Sequence, residues 1–161
     1  MAIYISVIGV GVEREDLNQI AYEVGRLIAK RGAILVCGGL GGIMHSAACG
    51  AKEAGGVAVG ILPGPDRVGA SPCLSIAIPT DMAHARNAIV VRSGDAVIAI
   101  GAGYGTLSEI GLALKMGKPV IGMRTWSLHR EGKEDAGIVY ASTAEEAVDI
   151  AIRLSTPTAS Y

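Results

Sequence analysis

Asp95-Ala96-Val97-Ile98-Ala99-Ile100-Gly101-Ala102-Gly103-Tyr104-Gly105-Thr106-Leu107-Ser108-Glu109 is the stretch that decides the fold. The strand read over Asp95–Ile100 is continuously apolar after Asp95, without the alternation of a strand that has one wet face. That pattern belongs to a strand buried on both sides, as in the middle of a parallel sheet. The run breaks at once into a glycine-rich turn. A helix then follows from Thr106 to about Met116, with Gly117 as its stop. Strand, glycine turn and helix in that order are the unit of a doubly wound α/β fold, whose ligands sit beyond the carboxyl ends of the strands.

The same alternation extends in both directions. Ile3–Ile8 reads as the first strand. Leu17, Ile20, Ala21, Val24, Leu27 and Ile28 then mark an amphipathic helix over Asp16–Arg31. Ala33–Val36 is a second short strand. It runs into Cys37-Gly38-Gly39-Leu40-Gly41-Gly42-Ile43, which opens a helix of small residues reaching about Ala54. Val57–Leu62 is a third strand, residues 63–73 an irregular loop, Leu74–Ile78 a short strand and Asp81–Arg92 a helix. Beyond the deciding stretch come a strand at Pro119–Met123, a polar loop over 124–136, a strand at Ile138–Ala141 and a closing helix at Ser142–Leu154. The tail from Ser155 is expected to fray. The expected fold is a Rossmann-like, mainly parallel sheet with helices on both faces and right-handed crossovers, in a single domain spanning residues 1–161.

Composition narrows the partners. The 161 residues are 50% hydrophobic and 18% charged, with no Phe, so Ile, Val, Leu and Ala must build the core. A net charge of −1, with no basic run longer than Lys30-Arg31, speaks against nucleic acid and against anionic membrane surfaces. Scarce aromatics, 4% of the chain, speak against stacking on single-stranded DNA. No leader is expected at the start, and no apolar stretch approaches the ~18 residues of a membrane span. Cys37, Cys49 and Cys73 are odd in number, lie far apart and form no CxxC pair. Neither a zinc site nor a disulfide is therefore expected, and a cytoplasmic setting follows.

Two turns have the composition of phosphate cradles: Gly38, Gly39, Gly41 and Gly42, then Gly101, Gly103, Tyr104, Gly105 and Thr106. Glycines let a ligand approach the backbone, and free N–H groups at the following helix start attract anionic oxygens. Glu109 has two readings. Thr106-x-x-Glu109 matches a capping box, in which both side chains serve the helix start. Otherwise the carboxylate faces a sugar hydroxyl or ring, away from phosphate. Neither turn is a P-loop, since GxxxxGK[ST] is missing. Gly9-Val10-Gly11 is only a fragment of the dinucleotide fingerprint. With Cys37 where an acidic residue would end the second strand, NAD is set aside. Arg86, ahead of the 95–100 strand, suits a bidentate phosphate clamp. His84 stands two positions away and so on another helical face. His45, His84 and His129 show no ligand spacing, and no metal is expected. Cys37 reads as a buried structural thiol or as one activated by the neighbouring helix start.

Taken together, Gly38-Gly39, Met82-x-x-Ala85-Arg86-Asn87, Asp95–Ala99 and Gly103-x-Gly105-Thr106-x-Ser108-Glu109 resemble the molybdenum cofactor carrier protein family. That family belongs to a larger Rossmann-like group with the Lonely Guy cytokinin riboside monophosphate phosphoribohydrolases. The resemblance covers Ile3 to about Ala151. Against the enzymes' Pro-Gly-Gly-x-Gly-Thr-x-x-Glu, the chain has Gly101 for Pro and Ala102 for the first Gly, while Gly103, Gly105, Thr106 and Glu109 match. Their Arg-Lys pair is Arg86-Asn87 here, the carrier form. The resemblance implies a binding protein for a phosphorylated small molecule, a nucleotide or molybdenum cofactor, with no cofactor required for its own fold. It implies a homo-oligomer, dimeric or larger. The almost wholly apolar 106–116 helix points the same way. The alternative it implies is hydrolysis of the N-glycosidic bond of a nucleoside 5′-monophosphate, with Arg86 and Glu109 as the catalytic pair. Nothing in the sequence supports a lysine decarboxylase.

Overall fold

The computed structural model describes residues 1–155; residues 156–161 lie outside it, and most of the tail expected to fray falls there. In chain order the elements are β1 (Tyr4–Gly9), α1 (Glu15–Lys30), β2 (Ile34–Cys37), α2 (Ile43–Glu53), β3 (Ala58–Leu62), β4 (Ile76–Pro79), α3 (Arg86–Ser93), β5 (Ala96–Ile100), α4 (Tyr104–Lys115), β6 (Val120–Met123), β7 (His129–Arg130), β8 (Lys133–Glu134), β9 (Ile138–Tyr140) and α5 (Ala144–Ser155). Seven strands form one sheet in the order β4-β3-β2-β1-β5-β6-β9, every neighbouring pair parallel. The expected Rossmann-like α/β fold is the observed one.

The apolar runs pack as their periodicity requires. All of β5 is buried, with Val97 beside Ser6 and Ile98 beside Val7 on β1. One face of the sheet carries α1, α2 and α5, whose Leu17, Val24, Ile28, Ala47, Ala51 and Val148 share a core with Ile5, Leu35 and Ile98. The other carries α3 and α4, where Val90, Val91, Ile110 and Ala113 pack on Ile8, Val36 and Val97. The small residues of α2 have a packing reason. A Cβ on Gly25 would stand 1.9 Å from the Ala47 carbonyl oxygen, and one on Gly50 would stand 1.9 Å from that of Tyr22. Thus α1 and α2 touch almost backbone to backbone, which larger side chains would prevent.

Four expectations need correction. The Asp81–Arg92 helix begins only at Arg86, after a short 3-10 turn at Ala83–Ala85. Asp81 and Ala83 adopt positive φ, 54° and 48°, and their N–H groups bond Gly64 O and Pro63 O. The segment is thereby tied to the loop after β3 and cannot wind into helix. The fourth strand shifts to Ile76–Pro79, because Leu74 N–H turns back to Ser71 O. The 124–136 loop contains the β7–β8 hairpin. Finally, α4 begins at Tyr104 with Gly103 at its cap and no side-chain cap bond. Thr106 and Glu109 are interior to that helix, so they are not a capping box. A near-variant occurs at α5: Thr143 Oγ1 accepts from Glu146 N–H at 3.1 Å, and Glu146 Oε2 accepts at 2.8 Å from Ser142 N–H, one residue before the cap.

Candidate functional site

Chain order runs outward from β1 to β4, then resumes on the other side of β1 with β5. The switch point therefore lies between β1 and β5, and an open α/β sheet leaves a crevice there. A cleft of roughly 340 Å³ occupies it, within the range of small-molecule sites. Its walls come from the β1 end (Val7, Ile8, Gly9), the turn into α2 (Gly38, Leu40, Met44), the 63–87 segment (Pro63, Ala83, His84, Arg86, Asn87) and the first turns of α4 (Gly105, Thr106, Glu109). Apolar groups line most of it, and the polar ones converge from α3 and α4.

Arg86, Thr106 and Glu109 are all buried, at 8%, 2% and 6% exposure. Arg86 reaches the cleft because the 3-10 turn ends at its own N-terminal side and sets the guanidinium over Gly38. Its Nη2 donates to Gly38 O at 3.4 Å and its Nη1 to Asn87 Oδ1. Its Nε, like Thr106 Oγ1, is buried without a hydrogen-bond partner. Burial without a partner costs about 1–3 kcal/mol per group, and both groups belong to residues that line the cleft. Burial pushes the Glu109 carboxyl up to about 7, against the opposing pull of the Arg86 charge. Burial likewise depresses Arg86, while the Glu109 and Cys37 charges oppose that shift. The shift brings both forms of the Glu109 carboxyl within reach near neutrality. When protonated it donates a hydrogen bond and repels no anion; when ionised it accepts a proton.

The two glycine turns differ in what they leave open. At α4, Gly103 caps the helix without a side-chain bond, and the N–H groups of the first turn have no intrahelical acceptor. Gly101 takes φ 78° there, and a Cβ on it would press Leu17 at 2.8 Å, so only glycine turns the chain this tightly under α1. At α2 the helix start is already engaged. Gly42 N–H donates to Glu13 Oε1 at 3.1 Å, and Ile43 N–H to Val10 O at 3.2 Å. Of the sequence-identified set, Gly38, Arg86, Asn87, Gly105, Thr106 and Glu109 meet at the cleft. Gly39 backs onto Leu62 and Leu74, Gly41 and Gly42 onto the 10–13 segment, and Gly101 and Gly103 onto Val10. Tyr104 is exposed at the rim, its ring centroid 5.9 Å from that of Trp126, whose Nε1–H donates to Gly103 O.

His84 was read as facing elsewhere, yet it lines the cleft with Arg86, since the 3-10 turn removes the helical spacing that would part them. Gly9 also lines the cleft, beyond the residues named from the sequence. The fragment Gly9-Val10-Gly11 was its signal: a Cβ on Gly9 would lie 2.5 Å from Ile100 O. Cys37 is buried, and its thiol is pushed up to about 11 by burial, which makes it structural. The expectation of no disulfide is overturned: Cys49 and Cys73 are bonded, 24 residues apart. His45 lies beside that pair, with one ligand-type atom from each of the three residues within 4.8 Å of the others. In both cases α2 and the loop after β3 converge in space at residues whose sequence spacing is arbitrary.

The model of the SLOG cluster4 family matches residues 2–148. An uncharacterized protein of Archaeoglobus fulgidus is 46% identical over 151 residues, covering 94% of this chain and 95% of its own. Among solved structures, the molybdenum cofactor binding protein of Rippkaea orientalis superposes with a TM-score of 0.87 at 36% identity, covering 97% of this chain and 99% of its own. The molybdenum cofactor carrier protein of Chlamydomonas reinhardtii gives 0.84 at 37%, covering 96% and 98%. DNA processing protein A of Helicobacter pylori, at 19% identity and a TM-score of 0.71 over 94% of this chain and 80% of its own, shares the fold alone. No described helix is long and apolar enough to cross a membrane. With almost its whole length matched by the family model and a cleft at the switch point of the shared sheet, the chain belongs to the SLOG cluster4 family.

Proposed function

We propose that this chain binds a phosphate-bearing, ring-containing cofactor of the molybdenum cofactor type in the β1–β5 cleft and holds it for delivery. The observation that carries the reading is the pair of buried, unpartnered groups, Arg86 Nε and Thr106 Oγ1, at one small cleft. A phosphate against the start of α4 would accept from Thr106, from the guanidinium and from the first-turn N–H groups together. Leu40, Met44 and Pro63 suit the flat face of a pterin or base. The two solved relatives described as binding or carrying molybdenum cofactor support the same ligand class. Glu109, its carboxyl pushed up to about 7 by burial, would in its protonated form bond a ring or sugar group without expelling the phosphate.

The same carboxyl supports a second reading, N-glycosidic cleavage of a nucleoside 5′-monophosphate. A buried carboxyl at about 7 beside an arginine is suited to general acid–base work at neutral pH. One experiment separates the two: incubation with AMP and with molybdenum cofactor, scoring melting temperature and free base together. The carrier reading expects stabilisation by molybdenum cofactor and no adenine. Adenine release that is lost in Glu109→Gln establishes the enzyme instead. Neither stabilisation nor release defeats both.

Assembly belongs to the same proposal. Leu107, Leu112 and Leu114 on α4 and Met116 just past its end are only half-buried in the single chain, and a second copy would cover them. Light scattering at micromolar concentration should give a mass of at least a dimer; a monomer mass refutes this part.

A further inference from the structure

His45 and Cys49 lie one turn apart on α2, on a shared face, and Cys73 reaches them from the segment between β3 and β4. The three ligand atoms lie within 4.8 Å of one another, all on half-buried residues open to solutes. Cys49 and Cys73 are joined as a disulfide, and Cys49 Sγ is 3.5 Å from His45 Nε2. The other ring nitrogen is already employed: His45 Nδ1 is 2.8 Å from Ser71 Oγ, and Ser71 Oγ also accepts from Cys73 N–H at 3.2 Å. In the tautomer whose Nδ1–H donates to the hydroxyl, Nε2 keeps its lone pair. A ring fixed through its second nitrogen is how metal-binding imidazoles are held. The same serine shapes the backbone that presents Cys73. It is itself anchored, since Ser71 N–H bonds Gly39 O at 2.9 Å.

We propose that reduction of the Cys49–Cys73 disulfide turns this cluster into a site for one zinc-class cation, held by His45 Nε2 and the two thiolates. Two sulfurs and an imidazole nitrogen select thiophilic and borderline metals over magnesium or calcium. Ligand atoms at zinc distances of about 2.0–2.3 Å stand ~3.3–3.8 Å apart, the scale already present between His45 and Cys49. The steps balance. A dithiol reductant supplies two electrons and two protons, the S–S bond breaks, two cysteine thiols form and the reductant leaves as its own disulfide. The cation then displaces the two thiol protons, and the two thiolates match its charge. Three protein ligands leave the fourth position to water. The oxidised chain has no such site, so metal uptake reports the redox state of this pair.

The test reduces the full chain with a dithiol, removes the reductant anaerobically and titrates with Co²⁺, then Zn²⁺. The expected result is about one equivalent of Co²⁺ with thiolate charge-transfer absorption, displaced by Zn²⁺. Zn²⁺ should also protect two thiols of the unsubstituted chain from alkylation, a readout that needs no variant to fold. Affinity should fall about tenfold or more in His45→Ala and further in Cys49→Ser, with circular dichroism confirming that each is folded. A reduced chain that takes up no Co²⁺, that loses its circular dichroism, or whose uptake is unchanged in Cys49→Ser overturns the proposal. So does equal uptake by the oxidised chain.

Discussion

Replacing Glu109 by Gln should stabilise the protein at alkaline pH and do nothing at acid pH. The carboxyl titrates at about 7 in the fold against an ordinary 4.5, and burial is the cause. Because the folded value is the higher one, the protonated carboxyl's contribution is fully present below 4.5 and is lost as pH rises through about 7. Above that range the fold carries an ionised, buried carboxylate. At 1.36 kcal/mol per pH unit, the gap costs about 3 kcal/mol at pH 8, with the attraction of Arg86 already included. Gln has the shape of the neutral acid and escapes the cost. For a chain of this length, ~2–4 °C per kcal/mol makes the gain roughly 6–12 °C in Tm at pH 8, shrinking to about zero at pH 4. Calorimetry of both proteins at pH 4, 6 and 8 measures it. A difference that does not vary with pH, or a Gln variant less stable at pH 8, would refute the placement of Glu109 as a buried, desolvated group. Retained stability with weakened ligand binding is the signature of a group kept in its costly state for function.

Three more outcomes follow from the site. Arg86→Lys keeps the charge but loses the planar fork and the Nε donor, so affinity for a phosphate ligand, read by calorimetric titration, should fall by about tenfold or more; unchanged affinity would remove Arg86 from the site. Thr106→Val replaces a buried hydroxyl that has no protein partner. Urea unfolding should show stability unchanged or slightly raised, while ligand affinity falls by about 1 kcal/mol; a clear loss of stability would mean that the hydroxyl has a partner inside the fold. Cleaving the Cys49–Cys73 bond in metal-free buffer, or Cys73→Ser, frees a loop closed across 24 residues of separation. Chain entropy puts that loss at about 3.5 kcal/mol, visible as a lowered urea midpoint, and an unmoved midpoint would contradict it.

The fold was legible because it rests on local signals. The unbroken apolar run of 96–100, the spacing of Leu17, Ala21, Val24 and Ile28, and glycines after strand ends report burial and chain reversal without knowledge of distant partners. All seven strands of the sheet overlap runs read on that basis, the fourth only in part, and Gly38, Arg86, Asn87, Gly105, Thr106 and Glu109, named from the sequence, line one cleft. What only the tertiary structure decided are the matters set by contact between segments far apart in the chain. Thr106-x-x-Glu109 spells a capping box, but α4 starts two residues earlier, and the sheet buries both side chains at the cleft. The helix expected from Asp81 is broken by hydrogen bonds to Pro63 and Gly64, which brings His84 and Arg86 onto one wall. The first glycine turn looked as open to phosphate as the second, yet the Glu13 carboxylate, 29 positions away, takes its N–H. Cys49, Cys73 and His45 meet because α2 packs against the loop after β3. Periodicity tells each segment which face to bury, whereas the identity of the group that it meets there depends on how the whole sheet is ordered.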